Sequence, residues 1–285
     1  MTGNPTPPEP SLLTFFTEWR VDPLWTMVCA AGLVFYLLGV RRLRARGGLW
    51  PHTRTLAWVA GLSVVFYATS GSVAVYQDYL LGFNVASLAL MCFVAPVALL
   101  AARPATLALL VIEPRPDQSI GGAELAGWII RATAVRGVRS PIMWATIMLV
   151  SIPAFYFTPW VVSSVRDPFG FHVTVAWFGL VGVMLVRSLL SSHAVAPAIV
   201  ALGVVLLGLI GVALALQIYL ASSGAEWFRD LQLGWRDDPR AGSYLLVAFA
   251  AVWSSVLAAA VLYRYRQITP VPEVPREILI NGGTN

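Results

Sequence analysis

The chain alternates long apolar segments with short polar stretches, and seven of the apolar segments approach or exceed the length of a membrane-spanning helix. A helix needs about 20 apolar residues to cross roughly 30 Å of hydrocarbon at about 1.5 Å per residue. Runs such as VALGVVLLGLIGVALAL at residues 200–216 do not alternate in polarity, which excludes a transmembrane β-barrel. Because backbone groups in lipid must be paired within their own segment, each run is predicted to be helical. The pattern predicts an all-α integral membrane protein, a seven-span transmembrane helix bundle with spans at about 24–40, 56–76, 79–101, 142–162, 169–186, 194–220 and 243–263.

Interruptions of the apolar pattern predict where the helices turn or bend. The second and third spans are separated only by Gln77 and Asp78, which predicts a tight hairpin. Kinks are expected at the prolines inside or near the ends of the spans, because proline lacks a backbone N–H. These prolines are Pro96, Pro153, Pro159 and Pro197. Between the third and fourth spans, residues 103–140 form a long polar-rich stretch, in which ATLALLVI (105–112) and GGAELAGWIIRATAVRG (121–137) are predicted to lie along the membrane surface.

The arginines predict the orientation of the bundle. All 19 basic residues are arginine, and fourteen of them fall in the segments 41–55, 102–140, 187–193 and the tail after 263, which hold only five of the 14 acidic residues. Short loops rich in arginine stay on the cytoplasmic side. The predicted organisation is an external N-terminal segment (1–23), a membrane domain (24–265) and a cytoplasmic tail (266–285). Topology and contact with anionic lipid are assigned to Arg41, Arg42, Arg44, Arg46 and Arg54.

Composition agrees with a membrane protein and excludes several other classes. Hydrophobic residues make up 58% of the chain and charged residues 12%, about half of what a soluble domain carries. The formal net charge of +5 is explained by topology, so no nucleic-acid partner is expected. The sequence contains no P-loop, no HExxH motif and no recognisable Ser–His–Asp set, so an enzyme is not predicted. The heavy use of Arg, Ala, Leu and Val suggests a GC-rich bacterial genome, hence a multi-pass protein of a bacterial plasma membrane.

Several motifs, in order along residues 19–266, resemble the CtaG-type cytochrome c oxidase assembly family. The first two are WRVDPLW (19–25) and YLLGVRRLRARGGLWPHTRTLAWVAG (36–61), similar to the family's WxxDPL before span one and its arginine-rich stretch between spans one and two. The others are VAPVALLAARPATLAL (94–109), YFTPWVVSSV (156–165), LGLIGVALA (207–215) and LGWRDDPRAGS (233–243). The resemblance implies a seven-span protein that helps to build the copper centres of a respiratory oxidase, with oxidase subunits as its protein partners.

The chain departs from the family at the histidines that the resemblance identifies as metal ligands. Asn84 and Leu88 stand where the family has its HMxxHM histidines, and Phe178 replaces one of two histidines in span five. Leu207 stands at the histidine of span six. His172 remains, and it is the one candidate metal ligand of the family type. A Gly-Glu pair expected in span seven falls around Ala250 and Ala251.

Two interpretations of the remaining polar and soft side chains stay open. His172 is either a metal ligand or a neutral histidine that bonds a carbonyl or water at headgroup depth. Sulfur ligands for Cu(I) could come from Met27, Cys29, Met91 and Cys92, although such residues also fill gaps in apolar packing. No cofactor is expected, and copper enters only through the resemblance. The favoured function is therefore oxidase assembly as a scaffold or partner-binding protein. The alternatives are a small-molecule or ion transporter, or a structural accessory subunit of a membrane complex.

Overall fold

The computed structural model describes residues 13–111, 140–191, 195–221 and 239–268, and within these ranges it contains helices and no strand. The all-helical architecture predicted from the sequence is confirmed for this part of the chain. In chain order, the elements are α1 (Thr14–Thr17), α2 (Pro23–Ala45), α3 (His52–Ser70), α4 (Ser72–Tyr76), α5 (Leu81–Ala89), a π-helical turn (Leu90–Val94), α6 (Ala95–Ala101), α7 (Pro104–Val111), α8 (Pro141–Tyr156), α9 (Trp160–Arg166), α10 (Pro168–Ser191), α11 (Val195–Ala221) and α12 (Pro239–Ile268).

Within the residues that the structure describes, six stretches are long and apolar enough to cross a membrane, and a bent helix pair makes a seventh candidate. The six are Pro23–Ala45, His52–Tyr76, Leu81–Val111, Pro168–Ser191, Val195–Tyr219 and Gly242–Tyr263. This bent pair corresponds to the fourth predicted span, and its two helices, α8 and α9, meet at an angle of 69°. Pro159 directly precedes α9 and has no backbone N–H to continue the helical ladder of α8.

Helix α2 continues beyond the apolar run that predicts it. The run ends near residue 40, but the helix continues to Ala45, so Arg41, Arg42 and Arg44 lie on its last turns instead of in a loop. Arginine is a good helix former, and cations are favoured at a helix C-terminus. The chain then turns through Gly47, whose φ of 79° suits glycine.

The third span contains a π-helical turn that meets two other helices. The indole N–H of Trp253 on α12 donates to the Phe93 carbonyl at 3.0 Å. Gly182 on α10 lies directly against the backbone of Cys92, where a Cβ would be 2.3 Å from the carbonyl oxygen. Pro96 follows the turn and cannot donate a helical hydrogen bond, so the regular ladder is already interrupted here. The turn therefore joins the third span to α10 and α12.

Most of the buried apolar side chains form one main core, to which α5, α8, α10, α11 and α12 contribute. Helix α2 lies outside this core and buries one stripe at helical spacing: Cys29, Tyr36, Val40 and Leu43. At its arginine-rich end, the Tyr36 hydroxyl donates to the Ala102 carbonyl at 3.0 Å and accepts the Trp50 indole N–H at 3.1 Å.

Helix α7 packs on this end of α2 through Leu107 and Val111. It contains most of the ATLALLVI segment that was predicted to lie along the membrane surface. The second segment of that prediction, 121–137, lies outside the described residues.

Candidate functional site

The short segment before α2, residues 18–22, is fixed to the break between α3 and α4. The backbone N–H of Arg20 donates to the Ser70 carbonyl at 2.9 Å, and that of Asp22 donates to the Ser70 hydroxyl at 3.1 Å. Gly71 forms the break, and a Cβ there would be 2.4 Å from the Tyr67 ring. Asp22 then caps α2, because its carboxylate accepts the Trp25 N–H at 2.9 Å. These bonds position the Asp22 carboxylate at the end of the bundle opposite the arginine cluster.

A salt bridge holds the same segment to the hairpin between α4 and α5. The Arg20 guanidinium lies 2.6 Å from the Asp78 carboxylate, with side chains that are 48% and 17% exposed respectively. Burial raises the pKa of the Asp78 carboxyl above its ordinary value, and the Arg20 charge and hydrogen bond act in the opposite direction. The net rise means that Asp78 depends on Arg20 to carry its charge in this position.

His172, the candidate metal ligand, lies on the first turns of α10 beside this segment. Its Nε2 is 3.8 Å from an Asp22 carboxylate oxygen, which is an ion-pair distance and too long for a hydrogen bond. Its Nδ1 is buried and has no hydrogen-bond partner among the described residues. The described part of the chain contains no group of three or more His, Cys, Asp or Glu side chains that could hold a metal ion.

Most positions of the other family histidines are occupied by side chains that the fold uses for packing, and Leu207 is the exception. Asn84 is 5% exposed, and its side-chain oxygen accepts the Tyr156 hydroxyl at 3.0 Å. Phe178 is fully buried and its ring contacts the rings of Phe155 and Trp160 at centroid distances of 5.7 and 5.9 Å. Leu207 is 71% exposed and faces away from the bundle. The last histidine position, Leu88, is packed on the main core. Ala250, near which the family's Gly-Glu pair would fall, is fully buried.

Asn84 lines a small polar cavity between the hairpin, α9 and α10. Its volume is about 20 Å³, enough for one water molecule. Gln77 and Asp78 line it with Ser87 and Thr174, and the Gln77 amide nitrogen is buried without a partner among the described residues. The cavity does not present the histidine or cysteine donors that copper prefers, so these residues do not fit a copper centre of the family type.

The sulfur side chains do not gather at His172. Met27 is 63% exposed on the outer surface of α2. Cys29 and Met91 belong to a satellite apolar cluster with α3 and α10, where the Cys29 thiol lies 3.8 Å from the Leu62 carbonyl. Cys92 belongs to the main core. The four candidates are therefore divided among three environments, and packing accounts for the three buried ones.

The predicted lipid-contacting arginines lie together at the other end of α2. Arg44 donates to the Trp50 carbonyl at 3.4 Å, and the Arg54 guanidinium lies 4.7 Å above the Trp50 ring. Arg46 donates to the carbonyl of Val111 at 3.2 Å and so fixes the end of α7. Arg41 and Arg42 are exposed. Several of these arginines therefore also hold the α2–α3 connection in place.

Sequence reasoning missed the Arg20–Asp78 pair and the Asn84–Tyr156 hydrogen bond. Asp22 before Pro23 is a recognisable helix-start signal, which could have located the capped segment. The two pairings join residues 58 and 72 positions apart, and nothing local in the sequence indicates them.

Known proteins resemble this chain over most of its membrane-spanning part. The family model described as cytochrome c oxidase caa3 assembly factor matches residues 34–267. The chain is also 28% identical over 181 residues to an uncharacterized protein of Mycobacterium leprae, a match that covers 63% of this chain and 28% of the relative. Uncharacterized proteins of Mycobacterium bovis and Mycobacterium tuberculosis are 29% identical over 184 residues, which is 63% of this chain and 27% of each relative. The chain thus matches little more than a quarter of the length of these relatives. No solved structure matches it.

Proposed function

The chain belongs to the family of cytochrome c oxidase caa3 assembly factors, and on that premise we propose that it assists oxidase assembly as a scaffold that binds a protein partner. The match over residues 34–267 carries the proposal, because it covers nearly all of the predicted membrane domain. We further propose a non-catalytic role in a bacterial plasma membrane, with oxidase subunits and lipid as partners.

The scaffold role is supported by the residues at the expected ligand positions. The Asn84 oxygen is already engaged by Tyr156, Phe178 is part of an aromatic cluster, and Leu207 is exposed on the far side. To bring three or more metal-donor side chains to one point, residues on at least two helices would have to be replaced. His172 with one carboxylate 3.8 Å away provides a polar contact between the start of α2 and α10.

A transporter is less well supported by the distribution of charge. Transport sites in membrane proteins are commonly marked by ionisable groups near the middle of the spans. In the described residues, the Arg20–Asp78 salt bridge and the His172–Asp22 contact both lie at one end of the bundle. The other alternative is an accessory subunit without a role in assembly. The effect of its loss on oxidase maturation distinguishes such a subunit from a scaffold.

The proposed orientation places the Asp22 end of the bundle outside and the arginine end in the cytoplasm. Reporter fusions at residues 48 and 232 test it, since the first is expected inside and the second outside. A reporter signal from the same side at both positions would contradict the seven-span topology.

Deletion of the gene and complementation test the assembly role. We expect the deletion strain to lose assembled oxidase, measured by its haem absorbance in membranes, and the wild-type chain to restore it. Oxidase subunits should co-purify with the tagged chain. Normal oxidase absorbance in the deletion strain, with no subunit co-purified, would contradict the assembly role.

Metal analysis tests the proposed absence of a copper centre. We expect far less than one copper per purified chain, and we expect His172→Ala to leave folding and oxidase assembly largely intact. His52→Ala is the matched control, because His52 lies at the opposite end of the bundle, near Arg44. Near-stoichiometric copper that disappears in His172→Ala and persists in His52→Ala would overturn the scaffold proposal and support a metal-binding role.

A further inference from the structure

The five arginines at the end of α2 and the start of α3 divide into two groups in the structure. Two of them donate to backbone carbonyls and a third lies over an aromatic ring: Arg44, Arg46 and Arg54. The other two, Arg41 and Arg42, are exposed, and neither has a hydrogen bond or an ion pair among the described residues. The first group holds the α2–α3 connection in place, whereas the second is available to a molecule outside the chain.

Arg41 and Arg42 lie one helical turn beyond Leu38 on the outer side of α2. Residues three and four positions apart are neighbours on a helix surface, so the two arginines lie on either side of the line through Leu38. One turn earlier the same line passes Val34, and the Val34 and Leu38 side chains are 53% and 52% exposed. This side of α2 is opposite the stripe that packs on the bundle. An exposed apolar column on α2 therefore ends at two positive charges.

No acidic side chain of the described residues neutralises this end of the bundle. The acidic residues in the described ranges all lie at the opposite end: Glu18, Asp22, Asp78 and Asp167. Basic side chains beside a membrane surface attract anionic headgroups. A guanidinium group also matches the geometry of phosphate oxygens, to which it can donate two parallel hydrogen bonds. The charge at the arginine end of α2 therefore favours a ligand that carries a phosphate group.

We propose that Arg41 and Arg42 bind the phosphate of one anionic phospholipid, whose acyl chain lies along Val34 and Leu38. Such a lipid is apolar along its chain and anionic at its head, so it matches the column and the two charges at once. An acidic protein segment would match the charges alone, because the column belongs to the part of α2 that is apolar enough to cross a membrane. The inference rests on the part of the proposed function that names lipid as a partner, and it is independent of the assembly role.

Lipid binding to the purified full-length protein in a neutral detergent tests the site. Native mass spectrometry compares palmitoyl-oleoyl phosphatidylglycerol with palmitoyl-oleoyl phosphatidylcholine, whose choline group compensates the phosphate charge. We expect one phosphatidylglycerol per chain, bound about tenfold more tightly than phosphatidylcholine. Glycerol 3-phosphate in large excess should not displace it, because it has no acyl chain. Equal affinity for the two lipids, or displacement by glycerol 3-phosphate, would overturn the proposal.

Two double variants of equal net charge separate this binding from a general effect of charge. In Arg41→Gln/Arg42→Gln the affinity for phosphatidylglycerol should fall about thirtyfold, since each arginine beside an anionic headgroup contributes roughly fivefold. Arg44→Gln/Arg46→Gln is the matched control at the same end of α2. It should lower the thermal stability, because it removes two bonds to backbone carbonyls, and it should keep most of the affinity for the lipid.

The outcomes of the two double variants decide between the possible ligands. An equal loss of affinity in both would show that general charge attracts the lipid, and would overturn the proposal. An unchanged affinity in Arg41→Gln/Arg42→Gln would also overturn it, and a simultaneous loss of co-purified oxidase subunits would assign the pair to a protein partner. Should this variant fail to fold, the comparison of the two lipids on wild-type protein decides. Lipid affinity and oxidase absorbance are separate readouts, so failure of the lipid site is distinguishable from failure of the assembly role.

Discussion

Replacing Gly182 by alanine should separate α10 from the π-helical turn of the third span. The added Cβ would lie 2.3 Å from the Cys92 carbonyl oxygen and 2.8 Å from its carbonyl carbon and Cα, whereas ordinary van der Waals contact begins near 3.4 Å. The obstacle is backbone, which cannot rotate away as a side chain can. Relief therefore requires the two elements to separate by about 1 Å, and a gap of that size loses a quarter to a half of each neighbouring contact. We expect a destabilisation of about 1–3 kcal/mol.

Glycines on α11 provide the control for this substitution. At Gly203 and Gly211 an added Cβ would have nothing within 4 Å, so Gly203→Ala and Gly211→Ala place a methyl group in open space. Alanine favours helix over glycine by up to about 1 kcal/mol, so these variants should be neutral or slightly more stable. Thermal unfolding in detergent and the monodisperse fraction after purification measure the difference. A Gly182→Ala protein as stable as either control would refute the close approach.

Three further substitutions test the polar contacts. Arg20→Met leaves the Asp78 carboxyl unpaired and raises its folded pKa further. We expect the free energy of unfolding to fall by about 1–2 kcal/mol, and the fall should grow as the pH rises above about 4, because a raised folded pKa favours folding only while the group is protonated. Adding Asp78→Asn should remove most of this destabilisation. A destabilisation that does not depend on pH would contradict the pairing. Tyr156→Phe removes the bond to Asn84 and should cost about 0.6–1.7 kcal/mol by thermal unfolding. Trp253→Phe leaves a carbonyl of the π-helical turn without its side-chain donor and should cost about 1 kcal/mol, whereas no change would show that another donor replaces the indole.

The long apolar helices could be predicted from the sequence because their signal is local. Each run of apolar residues determines its own span, and no knowledge of its neighbours is required. A kink was predicted at Pro159, but the angle of 69° between α8 and α9 was not. A proline within an apolar run is compatible with a small kink or with a large bend, and the choice depends on how Trp160 packs against Phe155 and Phe178. The continuation of α2 through its arginines was missed because hydrophobicity identifies the membrane-embedded part of a helix, not its end.

The candidate site could be predicted only in part, since it depends on contacts between distant residues. His172 and Asn84 could be identified from their family positions. Their partners could not, because Asp22 and Tyr156 come from other helices and carry no sequence signal for these contacts. The Trp25 indole N–H, which has no partner among the described residues, was also missed, since an indole near a span boundary looks like an ordinary interfacial anchor.

The polar groups at the Asp22 end of the bundle bear on how the chain accommodates the loss of the family histidines. A span that simply exchanged a histidine for a leucine at a buried polar position would leave its former partners unsatisfied, at a cost in an apolar layer. Here the Asn84 oxygen accepts the Tyr156 hydroxyl, and the Trp160 indole donates to Thr174 at 2.9 Å. These two bonds join α5 to α8 and α9 to α10. Side-chain hydrogen bonds therefore connect these helices at positions where the family resemblance places a metal ligand, Asn84 among them.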